Sequence, residues 1–202
     1  MARIGILGGS FNPAHGGHRH ISLQALRRLG LDQVWWLVSP QNPLKAKRTM
    51  APLPARMLRA KEVARHPRLE VTALEVELGT RYSADTARAL VRRFPQHDFI
   101  WLMGADNLVQ FHRWKEWRRL ARTLPIAVMA RPDYIGAAHR AQAMGWLRRF
   151  LKRPEQARRW TEWRLPAILF LRIPLDARSA TAIRAHSPDW AGAYIEDPAP
   201  PR

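Results

Sequence analysis

Short apolar runs of strand length alternate along the chain with segments whose apolar residues recur at helical spacing. Arg3 to Leu7 is an apolar run that meets Gly8 and Gly9, and it predicts a buried first strand. From His15 to Leu29, Ile21, Leu23, Ala25, Leu26 and Leu29 fall on a helical period that Gly30 stops. Gln33 to Val38 predicts a second strand, punctuated by Ser39 and Pro40. Leu44 to Pro54 is polar, basic and bounded by prolines, which predicts a loop. Ala55 to Ala64 predicts a helix, and Leu69 to Leu74 alternates as a third strand. The second half repeats the scheme. Helices are expected over Ser83 to Phe94, with Ser83 as candidate N-cap, over Trp114 to Arg122 and over Ala137 to Leu151. Strands are expected over Asp98 to Met103, Pro125 to Ala130 and Ile168 to Ile173. A last helix over Thr181 to His186 precedes a short turn near Trp190 to Ile195. Strands alternating with helices predict an α/β fold with a mainly parallel sheet.

Composition narrows the chemistry. The 202 residues are 47% hydrophobic, enough for a real core in one domain. With no cysteine, disulfides, thiolate catalysis and Cys-ligated metal sites are excluded. The net charge is +18, and all but five of the 34 Lys and Arg residues are Arg. That charge favours anionic partners without naming one. No signal-peptide core or membrane-length apolar stretch is visible, so a soluble, cytoplasmic protein is expected. Arg148 to Arg164 holds seven Arg or Lys against two Glu, together with Trp160 and Trp163. It is read as a solvated, basic, helical connection, about 137–165, whose tryptophans pack inward. A nucleic-acid or membrane patch is the competing reading, and salt-sensitive binding would reveal it.

The strongest chemical signal lies where the first strand hands over to the first helix: Gly8-Gly9-Ser10-Phe11-Asn12-Pro13-Ala14-His15-Gly16-Gly17-His18. Ligands of open parallel sheets bind at the carboxyl ends of the strands. Glycines let the backbone approach an anion, and a helix start offers unpaired N–H groups and a positive dipole end. The spacing fits neither G-x-G-x-x-G nor the P-loop pattern. Instead, two histidines three residues apart share one helix face and address one phosphate group. A metal pair is one alternative, though no Cys and no nearby Asp or Glu supports it, and ordinary capping residues are the other.

This stretch resembles the (H/T)-x-G-H motif of nucleotidyltransferases. Its two-histidine form with a GGSF opening is similar to that of bacterial nicotinate-nucleotide adenylyltransferases. Asn12 stands where many members have Asp and keeps the turn-forming role. Near the C-terminus, Arg178-Ser179-Ala180-Thr181-Ala182-Ile183-Arg184 resembles the family's S-[ST]-T-x-I-R block. Hydroxyls at a helix start with an Arg one turn on suit phosphates; a plain N-cap with a surface Arg is the alternative. Gly104-Ala105-Asp106-Asn107 matches its G-x-D pattern, with Asp106 either accepting from a ribose or capping the next helix. Arg81-Tyr82-Ser83-Ala84-Asp85-Thr86 resembles the block whose amides and hydroxyls meet the nicotinate carboxylate. Trp114 matches the family's Trp that stacks on the nicotinate ring, and Trp117 is expected in the core. Pro43-Leu44-Lys45 resembles its P-H-K loop, with Leu44 in place of His; Lys45 either covers the triphosphate or is a solvated surface side chain.

The resemblance runs from the first strand to residue 195. It implies a single Rossmann-like nucleotidyltransferase domain over 1–202: an open, mainly parallel sheet with helices on both faces and a C-terminal helical appendage, 179–195, that binds phosphate. It implies AMP transfer from ATP to nicotinic acid mononucleotide by in-line attack of the substrate phosphate, with no covalent intermediate and Mg²⁺ accompanying ATP. His15, His18, Lys45 and Arg184 are then the catalytic set. Gly8, Gly9, Ser10, Phe11, Gly104, Asp106, Ser179 and Thr181 complete the ATP site, and Tyr82, Ser83, Thr86 and Trp114 hold the acceptor. No protein-only metal site, specific nucleic-acid partner or membrane partner is expected, and the chain is expected to be a monomer or homodimer.

Overall fold

The computed structural model describes residues 1–40, 50–130, 132–174, 178 and 180–194, with the backbone alone at 130 and 132–135. Strands β1 (Arg3–Gly9), β2 (Gln33–Val38), β3 (Leu69–Thr72), β4 (Asp98–Gly104), β5 (Ile126–Ala130), β6 (Leu151–Lys152) and β7 (Ile168–Arg172) form one sheet. Its order is β3-β2-β1-β4-β5-β7-β6, and every pairing is parallel. A parallel sheet needs both faces covered. The inner strands supply side chains to both, so β1, β2, β4, β5 and β7 read as apolar runs, whereas β3 at the sheet's edge alternates, with Leu69 and Val71 buried and Glu70 exposed.

Two cores result. On one face Ile4, Ile6, Phe99, Trp101, Met103, Ile126 and Val128 meet α4 (Ser83–Arg93), α5 (Ala105–Gln110), α6 (Trp117–Thr123) and α8 (Met144–Leu147). On the other, Leu7, Val34, Trp36, Ile100, Leu102 and Met129 meet α1 (Gly16–Leu29), α2 (Leu53–Ala64) and the 3₁₀ turns of Pro154–Glu162. Each fully buried side chain of this size contributes about 1.5–3 kcal/mol. Helix α1 ends as its sequence predicts, with Gly30 left-handed (φ 62°) and its N–H donating to Leu26 O.

Several boundaries differ from the sequence reading. Gly8 and Gly9 belong to β1, paired with Leu37 and Val38, so the turn starts only at Ser10. Leu74 opens a short helix, α3 (Leu74–Glu77), instead of ending β3. The N-cap of α4 is Tyr82, not Ser83, and no side chain caps it. Trp114 is not helical: it follows the 3₁₀ turn Phe111–Arg113 with extended backbone (ψ 135°), and α6 begins at Trp117. The helix expected from Ala137 to Leu151 is broken into α7 (Pro132–His139), α8, a 3₁₀ turn at Arg148–Phe150 and the edge strand β6. In the basic stretch, Trp160 is buried, its indole N–H donating to Leu29 O at 3.1 Å. Arg158 donates to Arg27 O at 3.1 Å and caps the end of α1.

The topology positions the site. From β1 the chain turns to β2 and β3 on one side, whereas β4 and the remaining strands lie on the other. The segments leaving β1 and β4 go to opposite faces, into α1 and α5. A crevice opens between them at the carboxyl ends of the strands, the switch point where such sheets bind ligands.

Candidate active site

A cavity of about 710 Å³ occupies this crevice. Gly8, Gly9, Ser10, Phe11, His15, His18, Tyr82, Ser83, Gly104, Asp106, Trp114, Thr181 and Arg184 all line it. Sequence positions up to 176 residues apart thus converge on one hole, which neither spacing nor periodicity reveals.

The turn after β1 makes the first wall. Phe11 takes the left-handed backbone region (φ 45°), and its ring stacks on Trp36 (centroids 5.1 Å, planes 12°) and reaches His18 (4.8 Å). A non-glycine residue with positive φ costs energy and persists where the surroundings hold it. His15 is the N-cap of α1: its Nδ1 accepts the Gly17 N–H at 3.1 Å, while His18 Nδ1 accepts the His15 N–H at 3.2 Å. The two imidazoles close a reciprocal capping box that Ser and Glu usually form. With Nδ1 accepting, the neutral ring carries its proton on Nε2, and each histidine becomes a donor at that atom. The rings lie 4.0 Å apart. His15 is non-helical, so the pairing comes from the cap and not from two positions on a helix face.

Gly16 and Gly17 have a steric role. A Cβ at Gly16 would collide with the Arg178 guanidinium, and one at Gly17 would sit 3.2 Å from Arg178 O. Arg178, just before α9 (Ala180–His186), lies against the start of α1, and a side chain at Gly17 would press on both its carbonyl and the His15 ring. Arg184 reinforces this: its Nη1 donates to Asn12 O at 2.5 Å and its Nη2 to Thr181 Oγ1 at 3.3 Å. Beyond α9, the Tyr194 hydroxyl donates to Glu62 Oε2 at 2.5 Å and accepts from Arg59 at 3.2 Å, which fastens the last described turn to α2. Lys45 and Ser179 lie outside the described residues.

A buried arginine that the sequence reading passed over braces the same wall. Arg56 of α2 is 1% exposed and donates to four carbonyls: Ser10 O (2.8 Å), Ser39 O (2.7 Å), Ala51 O (2.8 Å) and Pro40 O (3.1 Å). Burial lowers its pKa from the ordinary guanidinium value, yet Arg remains a cation in proteins. Its signal in the sequence was a charged residue on the apolar stripe of α2.

The second wall comes from α4 and the 111–114 turn. Trp114 is half-buried, edge-on to Phe111 (5.4 Å), and lines the cavity. Trp117 packs between Phe111 and Trp146, each at 5.5 Å, partly buried against the core rather than within it. Three exposed cations that the sequence reading did not select also line this wall: Arg81, Arg113 and Lys115. Lys115 Nζ lies 4.4 Å and Arg81 Cζ 5.8 Å from the centre of the Tyr82 ring, distances at which a cation is drawn to an aromatic face. Thr86 is placed differently from expectation. It is fully buried beneath the wall, does not line the cavity, and donates to Glu75 Oε1 at 3.0 Å. Glu75, also missed, does line it. Burial pushes its carboxyl above the ordinary range, and hydrogen bonds from Thr86 and Ser39 pull it partly back.

Asp106 occupies the first turn of α5, exposed, with no side-chain cap bond. Among the described residues no group of three or more His, Cys, Asp or Glu forms a metal cage. Asp106 and the buried Glu75 are the carboxylates that line the cavity. Among the described residues no helix is long and apolar enough to cross a membrane.

A glycine-ended first strand, paired imidazoles at the following helix start and a switch-point cavity define the nucleotidyltransferase class, and residues 6–186 match the cytidylyltransferase-like family model. A probable nicotinate-nucleotide adenylyltransferase of Erythrobacter litoralis is 56% identical over 192 residues, covering 95% of this chain and 88% of the relative. One from Cereibacter sphaeroides is 52% identical, covering 90% of this chain and 96% of its own. The chain belongs to the nicotinate-nucleotide adenylyltransferases. The fold is shared with the nicotinic acid mononucleotide adenylyltransferase of Plasmodium falciparum solved with NaAD (TM-score 0.67, 15% identity, 97% of this chain and 91% of that one).

Proposed function

We propose that this chain transfers AMP from ATP to nicotinic acid mononucleotide, giving nicotinic acid adenine dinucleotide and pyrophosphate. The observation that carries the reading is the imidazole pair, 4.0 Å apart at the start of α1, in a chain half identical to adenylyltransferases over nine-tenths of its length. A phosphate oxygen of the mononucleotide attacks the α-phosphorus of ATP, and the bond to the bridging oxygen of pyrophosphate breaks. The attacking phosphate is already an anion at neutral pH, so no protein nucleophile is needed. The protein contributes alignment and stabilisation of charge developing on the transferred group.

His15 and His18 donate to the reacting phosphates. Arg184, with Lys45, holds the departing pyrophosphate, while Ser10, Ser179 and Thr181 add donors around the phosphates. Gly8, Gly9, Phe11 and Gly104 shape the ATP pocket, and Asp106 accepts from a ribose. Trp114 stacks on the pyridine ring, and Tyr82 and Ser83, at the start of α4, face its carboxylate. Mg²⁺ bound with ATP supplies further charge neutralisation. Action in the cytoplasm, as a monomer or homodimer, completes the reading. The test is pyrophosphate release from ATP with the acid and the amide mononucleotide offered separately. Release with the acid is expected; release with neither, or with the amide alone, overturns it.

A further inference from the structure

Glu75 is 7% exposed, lines the cavity, and has no part in the chemistry above. It sits on α3, the short helix between β3 and α4. On one side, Thr86 Oγ1 donates to its Oε1 at 3.0 Å; the same hydroxyl lies 3.2 Å from Tyr82 O and 3.0 Å from Thr80 Oγ1. On the other side, the Ser39 side chain hydrogen-bonds the carboxyl. Ser39 N–H donates to Gly9 O at 2.9 Å, and Ser39 O accepts from Arg56 at 2.7 Å. One carboxyl therefore joins the end of β1 and β2, which carry the imidazole wall, to the start of α4, which carries the acceptor wall.

We propose that Glu75 is a positioning residue that sets the span between the two walls, and so the distance between the reacting phosphates. This rests on the adenylyl-transfer reading above. Burying a carboxyl is costly, and an apolar side chain of similar volume would fill the same space at less cost. A fully partnered polar network does what apolar packing does not: it holds its members in one geometry. In-line transfer depends on that geometry, since reacting atoms must come within about 3–3.5 Å and a misplacement of about 1 Å can cost about 100-fold in rate. Glu75 needs no contact with either substrate for this.

The experiment measures steady-state kinetics for the full chain and for Glu75→Ala, Glu75→Gln and Ser39→Ala, each rate normalised to the folded fraction by ATP-binding stoichiometry. Glu75→Ala is expected to lower kcat about tenfold or more while the KM for ATP and for the acid mononucleotide stays within about threefold. Glu75→Gln, whose amide can accept from Thr86, is expected to keep kcat within about threefold of the parent. A purely structural carboxyl would lower the Tm of Glu75→Ala and leave kcat per folded site unchanged. Should Glu75→Ala fail to fold, Ser39→Ala removes one anchor, and its kcat is expected to fall several-fold at unchanged KM. Unchanged kcat per folded site in Glu75→Ala, or in Ser39→Ala, overturns the proposal, as does a loss confined to KM. A parent enzyme inactive with both mononucleotides overturns the adenylyl-transfer reading itself, and Glu75's role with it.

Discussion

The two walls of the cavity are built on opposite plans. On the imidazole wall, side chains hold the backbone: a capping box made by two histidines, four carbonyls on one buried guanidinium, and Arg184 gripping Asn12 O. On the acceptor wall the cavity meets an extended, half-buried tryptophan and three exposed cations, two of them over the Tyr82 ring. The first plan leaves little freedom, as suits groups that must meet a charge developing on phosphorus. The second has its order one layer down, in the Thr86–Glu75 hydrogen bond, and presents exposed charge and a flat ring to the cavity. The difference teaches that one site can combine a pre-organised half with an adaptable one, provided something ties them together.

Four variants test this contrast, in order of falling expected effect. His18→Ala removes a pre-organised donor and half of the capping box. Its kcat is expected to fall about 10²–10³-fold with ATP binding little changed, measured by single-turnover and equilibrium binding. A near-normal kcat would dissolve the contrast. Arg56→Met strips the donors from four carbonyls beneath the turn. A stability loss of about 3 kcal/mol or more is expected in denaturant unfolding, and a loss below about 1 kcal/mol would show that the turn holds itself. On the acceptor wall, Trp114→Ala is expected to raise the KM for the mononucleotide about tenfold and leave that for ATP alone; the reverse pattern would move Trp114 to the other wall.

The smallest effect concerns Glu75 and pH. Its raised pKa means the folded state holds this proton more tightly than the unfolded chain. Glu75's contribution to stability is therefore fully present below the ordinary carboxylate range and is lost as pH rises through its raised value. Glu75→Gln is expected to flatten the unfolding free energy across that window relative to the parent. Identical profiles would mean that Glu75 titrates like a solvated carboxylate.

Much of the architecture was legible along the chain: among the described residues five of the seven strands are apolar runs, as buried parallel strands are, and the edge strand β3 shows as an alternation of Leu69 and Val71 with Glu70 and Thr72. The seventh, Leu151–Lys152, escaped because two residues carry no period and its pairing with Ile168–Leu169 is made at a distance. The helix read through Ala137 to Leu151 failed for a related reason: apolar spacing continues across α8 and the following 3₁₀ turn, while the backbone does not. At the site, His15 and His18 were legible because the motif is local. Arg56 and Glu75 were not, since most of their partners lie 11 to 46 residues away and each looks in sequence like an ordinary charged helix residue.

What the sequence determined by itself is the alternation of elements and the chemistry of the turn after β1, both of which depend on neighbours a few positions apart. What the tertiary structure alone decided is which residues share the cavity. It left Thr86 out of it and brought Glu75 in, and it laid Arg178 over Gly16. Burial and long-range hydrogen bonds assign those places, and they exist only once the sheet has brought distant segments together.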